Sequence, residues 1–192
     1  KIDNVRLPSE QAMWCRREAT VRWWELDERE VAEDLLRQAQ LISPKSVEDW
    51  LEESRMSVPK EAVRRLYESL VSFPDESGFD LLTALVTIYQ GASRNDEAVD
   101  VLTDAARRVA HDGQRLQVVA GMAAELSAVE LQVQALEQAY RNDSKYFEDL
   151  DAGLTQAGLY KKLVQVLINR AQVLELEESL EEAQQMLERA AH

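Results

Sequence analysis

A short pattern of small and large residues recurs along this chain and limits what it can fold into. Each copy has a first residue, a Leu four positions later and a small residue three positions after the Leu. Steps of three and four put these residues on one stripe of an α-helix, and the small ones let a neighbouring helix approach closely. We therefore interpret each copy as the inner face of the second helix of a helix pair. The copies are Ala32, Leu36 and Ala39; Ala62, Leu66 and Ser69; Ala98, Leu102 and Ala105; the weaker Gln132, Leu136 and Ala139; and Ala183, Leu187 and Ala190.

The spacing of the copies sets the number of helices. They begin at residues 32, 62, 98, 132 and 183, so the spacings are 30, 36, 34 and 51 residues. Apolar residues three and four apart also precede the copies, as at Leu82, Leu85 and Tyr89, which predicts the first helix of each pair. Because the last spacing exceeds the others by about half a repeat, we expect an extra helix near residues 145–157, before Gly158.

The chain is poor in residues that form tight turns. It contains only 6 Gly and 4 Pro among 192 residues, whereas an all-β sandwich or barrel needs many tight turns. Its hydrophobic fraction of 45% is enough to bury a core. The sequence therefore predicts an all-α fold.

A helix pair of about 34 residues with this stripe, and with Pro after the second helix, resembles the tetratricopeptide repeat (TPR). Thr20, Trp23 and Pro44 accompany the first copy in the register of that family, and Pro74 closes the second. Trp50 stands where the family has a small residue, so we expect the first helix of the second repeat to be short or shifted.

The resemblance implies an α-α superhelix, a TPR-like solenoid of antiparallel helix pairs that forms a single domain over residues 1–192. Because the chain starts at Lys1 without a Met, we expect it to be part of a longer protein. The resemblance and the spacing together predict about five repeats, at residues 9–44, 45–76, 79–111, 113–143 and 160–191.

The residue types needed for catalysis or metal binding do not occur in useful patterns. His111 lies in a predicted turn after a helix. We interpret the single cysteine, Cys15, as a small, semi-buried apolar residue of a helix. Acidic runs lack the alternating spacing and the Gly of a calcium loop, and no Gly-rich loop could cradle a phosphate. We therefore expect no enzyme activity, no catalytic residue, no metal and no cofactor.

The charge balance restricts the partners. A formal net charge of −14 would repel a phosphate backbone, so we expect no direct binding of nucleic acid. No apolar run approaches the roughly 18 residues that cross a bilayer, so we expect no membrane insertion by this segment. A single cysteine is compatible with cytoplasm or periplasm, which leaves the localisation open.

In TPR arrays the first helices line a concave groove, and this implies where a partner would bind. A mostly polar groove suits hydrogen bonding to an extended segment that carries Lys or Arg. The paired Lys and Asn that clamp a peptide carboxylate in some members are not at these positions. The groove residues implied by the register are Trp14, Arg17, Val21, Trp24 and Glu25; Asp80, Thr83, Thr87 and Gln90; and Gln114, Gln117 and Glu125.

Three of the four tryptophans, Trp14, Trp23 and Trp24, fall close together in the first repeat. Trp23 and Trp24 diverge by about 100° around one helix, so they cannot enter the same seam. In one interpretation Trp23 fills the core while Trp14 or Trp24 packs against a preceding repeat. In the other, the exposed indoles anchor a partner, since Trp is enriched among interface hot spots.

These observations favour a non-catalytic protein-protein interaction scaffold that presents a TPR groove to a protein or peptide. An alternative, by analogy with the family, is the periplasmic TPR region of an exopolysaccharide export apparatus. There the segment would recruit a polymer-modifying enzyme or guide a cationic polysaccharide.

Overall fold

The computed structural model describes residues 7–176 and 179–191, and the described part of the chain contains eleven α-helices, two short 3-10 helices and no β-strand. This confirms the predicted all-α class. Residues 177 and 178 of the fifth predicted repeat lie outside the described residues. The helices are α1 (Pro8–Trp24), α2 (Arg29–Ile42), α3 (Val47–Arg55), α4 (Pro59–Leu70), α5 (Phe79–Gly91), α6 (Asn95–Arg108), α7 (Gly113–Glu125), α8 (Val129–Asn142), α9 (Phe147–Gln156), α10 (Tyr160–Leu176) and α11 (Leu180–Ala190).

The chain divides into two compact units, one ending at Arg108 and the other starting at Val109. In the first unit α1, α3 and α5 each pack on the helix that follows, and in the second α7 and α10 do the same. We call these five the first helices and their partners, α2, α4, α6, α8 and α11, the second helices. Short connections make each pair antiparallel, which gives a TPR-like helical fold. The assignment of all residues to a single domain stays a prediction.

The helix starts follow from local sequence. Pro occupies the first position of α1 and of α4, where its missing N–H costs no helical hydrogen bond. Ser46 and Asp49 form a reciprocal capping box at the start of α3. The Asp112 carboxylate accepts hydrogen bonds from the first backbone N–H groups of α7.

The turns after α5, α7 and α9 share one backbone form. In each, a residue with positive φ follows the helix, and the next backbone N–H donates to the carbonyl five residues earlier, which closes the helix. Serine holds the positive-φ position in two of these turns, where Gly is more usual, and this agrees with the low Gly content. The positive-φ residues are Ser93, Ser127 and Gly158, and the bonds run from Arg94 to Tyr89, Ala128 to Ala123 and Leu159 to Leu154.

The recurring pattern lies mainly in the core. In the first unit all nine of its residues on α2, α4 and α6 are buried. In the second unit Leu136, Ala139 and Ala183 are buried, whereas Gln132 is half-buried and Leu187 is 42% exposed. The 3.6-residue period therefore identified the buried faces of the second helices of the first unit in full, and those of the second unit in part.

The second pair has the irregular first helix that the register suggested. Helix α3 is only nine residues long. Trp50, where the family has a small residue, is 3% exposed and fills the pair's core, with the Lys45 ammonium 4.6 Å from its ring centroid. A large side chain at this position takes the space that a close helix approach would need.

The second unit contains the helix α9 between its two pairs, within the segment where an extra helix was expected. It packs on α8 and on α10. Asp151 of α9 is 4% exposed, and both of its carboxylate oxygens contact the Arg189 guanidinium of α11, at 2.5 and 2.7 Å. A paired arginine is what allows a carboxylate to be buried there.

Candidate protein-binding surfaces

The predicted groove residues of the first repeat lie along α1 and its C-terminal cap. Trp14 and Val21 are 49% and 42% exposed, and Arg17 and Glu25 are also exposed. The Arg17 guanidinium lies 5.5 Å from the Trp14 ring centroid. We call the exposed residues Trp14, Arg17, Val21 and Glu25 the α1 stripe; it offers an aromatic face and charges of both signs.

Trp24, the fifth residue predicted for this part of the groove, instead turns toward the next helix pair. Its ring packs edge-on against Tyr67 at 6.4 Å, and its Nε1 donates a 3.0 Å hydrogen bond to Glu68. Trp23, by contrast, packs on the buried cluster of Ala19, Ala32 and Leu36. Trp23 therefore belongs to the core of the first pair, and Trp24 packs on α4 of the second pair, which follows it in the chain.

Glu68 is a buried acid that the sequence did not single out. It lies on α4, is 3% exposed, and accepts hydrogen bonds from Trp24 and from the Thr20 hydroxyl, at 3.0 and 3.1 Å. Burial raises the pKa of Glu68 above its ordinary value, and the bonds from Thr20 and Trp24 oppose this shift. No sequence signal identified the residue, because an isolated Glu on a helix is nearly always solvated.

The predicted groove residues of the third repeat lie on α5, and we call them the α5 stripe. Asp80 and Thr87 are exposed, and Thr83 and Gln90 are half-buried. The Thr83 hydroxyl donates to the Asp80 carbonyl and the Thr87 hydroxyl to the Thr83 carbonyl, both at 3.0 Å. Because the hydroxyl protons are used within the helix, the stripe presents mainly hydrogen-bond acceptors.

The predicted groove residues of the fourth repeat lie on α7, and we call them the α7 stripe. Gln114 and Glu125 are exposed, and Gln117 is half-buried. The Gln117 amide donates to the Asp149 carboxylate of α9. Both residues line a cavity of about 390 Å³ between the two helices. Gln117 therefore borders a concave site.

The described residues contain no group of three or more His, Cys, Asp and Glu placed to hold a metal ion. His111 is exposed and Cys15 is half-buried. None of the described helices combines the length and the apolar character that crossing a membrane requires.

Comparisons with known proteins identify no family for this chain. No family model matches the chain, and no curated protein matches it. Among solved structures the chain is similar to one titled "Crystal structure of MamA protein", with 12% sequence identity and a TM-score of 0.43 over 95% of this chain and 94% of that one. The fold assignment therefore rests on the helix pairs described above.

Proposed function

We propose that this chain is a non-catalytic scaffold that binds a protein or peptide partner on the exposed faces of its first helices, without a cofactor. The observation that carries the proposal is the difference in burial between the first and second helices of the first unit. The small-large-small pattern of α2, α4 and α6 is buried, while the α1 and α5 stripes of the first unit are left largely to solvent. A face that the core does not use, held on a packed helix pair, is a preformed surface for a partner.

The chemistry of the stripes indicates what they would bind. Glu25, Asp80 and Glu125 are exposed carboxylates, and the threonines of α5 present acceptors. Such groups pair best with donors, which an extended segment supplies through its backbone N–H groups and through Lys or Arg. The exposed Trp14 adds the kind of side chain that often dominates binding energy.

The exopolysaccharide alternative has no support in the contacts described above or in the comparisons. It remains a prediction from the resemblance alone.

Charge reversal tests the proposal. Peptides that bind the whole chain would first be selected from a random display library. They would then be titrated against wild type and against the variant Glu25→Lys/Asp80→Lys/Glu125→Lys, at low and high salt. We expect a loss of at least about ten-fold in affinity, since removing close charge pairs at an interface typically costs this much or more. A matched triple variant on the second helices, Asp34→Lys/Asp100→Lys/Glu188→Lys, should bind within about two-fold of wild type. The stripes are the wrong surface if both triple variants bind alike.

A further inference from the structure

A cleft in the first unit differs from these polar stripes. It has a volume of about 450 Å³ and lies where Trp24 and the C-terminal end of α5 flank the first turns of α4. Its apolar lining includes Trp24, Val63, Ile88 and Tyr89. Because the Trp24 N–H is already bonded to Glu68, the indole offers this cleft only its ring.

A second cleft continues the first. It has a volume of about 350 Å³, lies between α3 and α5, and shares Pro59 and Ile88 with its neighbour. Leu51 and Ala84 are among its apolar lining residues. The two clefts therefore adjoin at Pro59 and Ile88, and we call them together the basic groove for the charges described next.

Cations line this groove and carboxylates do not. Arg55, Lys60, Arg64 and Arg94 are lining residues, and no Asp or Glu lines either cleft. The chain as a whole has 36 acidic and 22 basic residues, so a cation-only lining is opposite in sign to the surface average. Such a lining produces a locally positive electrostatic potential on a protein that is negatively charged as a whole.

The cations are also placed to act on a ligand. The Arg64 guanidinium lies 5.4 Å from the Trp24 ring centroid, and the Arg94 guanidinium lies 4.9 Å from that of Tyr89, so both are held against the aromatic lining. Arg94 also pairs with Glu97 at 2.6 Å. In the described part of the chain the nearby ion pairs are made by Arg65 and Arg94. Arg55, Lys60 and Arg64 form none there, so their N–H groups are open to a partner's carboxylates.

We propose that the basic groove binds an acidic segment of a partner protein in which carboxylates alternate with bulky apolar side chains. This rests on the proposed scaffold function and adds to it a partner class and a second site, which meets the α5 stripe at Thr87. Apolar side chains would fill the two clefts while the carboxylates reach Lys60, Arg64 and Arg55. A short peptide fits better than a nucleic acid, because a phosphate backbone would extend from the groove onto a surface of net charge −14.

The first experiment compares two probes on the whole chain by fluorescence anisotropy. One is a fluorescein-labelled nonapeptide in which Glu alternates with Leu and Phe, and the other has Gln in place of every Glu. We expect the acidic probe to bind at least about ten-fold more tightly than the amide probe, and its advantage to shrink at high salt. Equal binding of the two probes overturns the proposal.

The second experiment locates the site. Lys60→Glu/Arg64→Glu should weaken binding of the acidic probe at least about ten-fold, whereas Lys161→Glu/Arg141→Glu, which changes the net charge by the same amount in the second unit, should weaken it no more than about two-fold. Lys60 lies in the first turn of α4, where Glu is favoured by the helix dipole, so the variant should stay folded by circular dichroism. The neutral Lys60→Gln/Arg64→Gln variant provides a second measurement should the reversal disturb folding. Equal losses in the two charge-reversed variants would overturn the site.

The display selection described above separates this inference from the scaffold proposal. Enrichment of acidic, apolar peptides that compete with the acidic probe supports the basic groove. Enrichment only of peptides whose binding depends on Glu25, Asp80 and Glu125 overturns the groove and leaves the scaffold standing. If no sequence is enriched, both proposals fail.

Discussion

The indole Nε1 of Trp24 donates a 3.0 Å hydrogen bond to the buried carboxylate of Glu68, 44 residues away in sequence. The bond joins α1 of the first pair to α4 of the second. Burial raises the pKa of Glu68, so the folded state holds its proton more tightly than the unfolded state does. Stability from this group is therefore greatest below its ordinary pKa, and it is lost as the pH rises toward the raised value.

Glu68→Gln should remove this dependence on pH. The amide keeps an acceptor for Trp24 and does not ionise, so the variant's free energy of unfolding should gain on wild type as the pH rises from about 4 to about 8. Urea denaturation at each pH measures the difference. Glu68→Ala should instead lose about 1–3 kcal/mol, because it leaves the Trp24 N–H without its partner. A constant difference between Glu68→Gln and wild type across the pH range would contradict this account.

Removing one partner of the Asp151–Arg189 pair should cost more than removing both. Arg189→Met leaves a buried carboxylate unpaired, and we expect a loss of about 2–4 kcal/mol. In Asp151→Leu/Arg189→Met no charge is left unpaired, and much of the loss should be recovered. A double-mutant cycle from thermal or urea unfolding measures the coupling. If the two single variants add without coupling, the ion pair is not what holds the carboxylate in place.

Gly78 and Gly91 should respond in opposite directions to replacement by Ala. A Cβ at Gly78 would overlap the Phe73 carbonyl oxygen, which also accepts a 3.0 Å hydrogen bond from Arg108. We expect Gly78→Ala to destabilise by about 1–3 kcal/mol. No atom lies within 4 Å of a Cβ at Gly91, the last residue of α5, so Gly91→Ala should be neutral or stabilise by up to about 1 kcal/mol. Melting temperatures of the two variants provide the comparison, and equal shifts would show that the space around Gly78 can adjust.

Trp50 should tolerate Phe but not Ala. Its buried Nε1 has no hydrogen-bond partner in the described residues, so Trp50→Phe removes an unsatisfied donor together with part of the packed ring. These effects oppose each other, and we expect a net change within about 1 kcal/mol. Trp50→Ala leaves a cavity and should cost about 3–5 kcal/mol. Urea unfolding of both variants tests this, and a loss in Trp50→Phe as large as that in Trp50→Ala would contradict it.

The sequence predicted the regular part of this fold because helix periodicity is local. The stripe through Ala98, Leu102 and Ala105 could be read from one short segment, and all three residues are buried. The same pattern failed at Leu187, which is 42% exposed, and among the described residues of α11 only Ala183 is buried. Periodicity indicates which face is apolar, and only the neighbouring helices decide how much of it is covered.

The candidate sites were less predictable, since they depend on contacts distant in sequence. The register placed Trp24 among the groove residues, but its bond to Glu68 on α4, 44 residues away, could not be read from a local pattern. The basic groove was not foreseen, because Arg55, Arg64 and Arg94 come from three separate segments of an acidic chain. Charge counts average over the surface and cannot show where like charges gather.

The Asp151–Arg189 pair also bears on how the second unit opens. Helix α11 buries only Ala183 among its described residues and packs on α10, which precedes it in the chain. Near its C-terminal end, Arg189 also joins it to α9. Local unfolding of α11 would therefore have to release a buried carboxylate to solvent while also breaking its contacts with α10. In hydrogen-exchange terms, its backbone amides should be protected together, as one small cooperative unit, instead of fraying residue by residue.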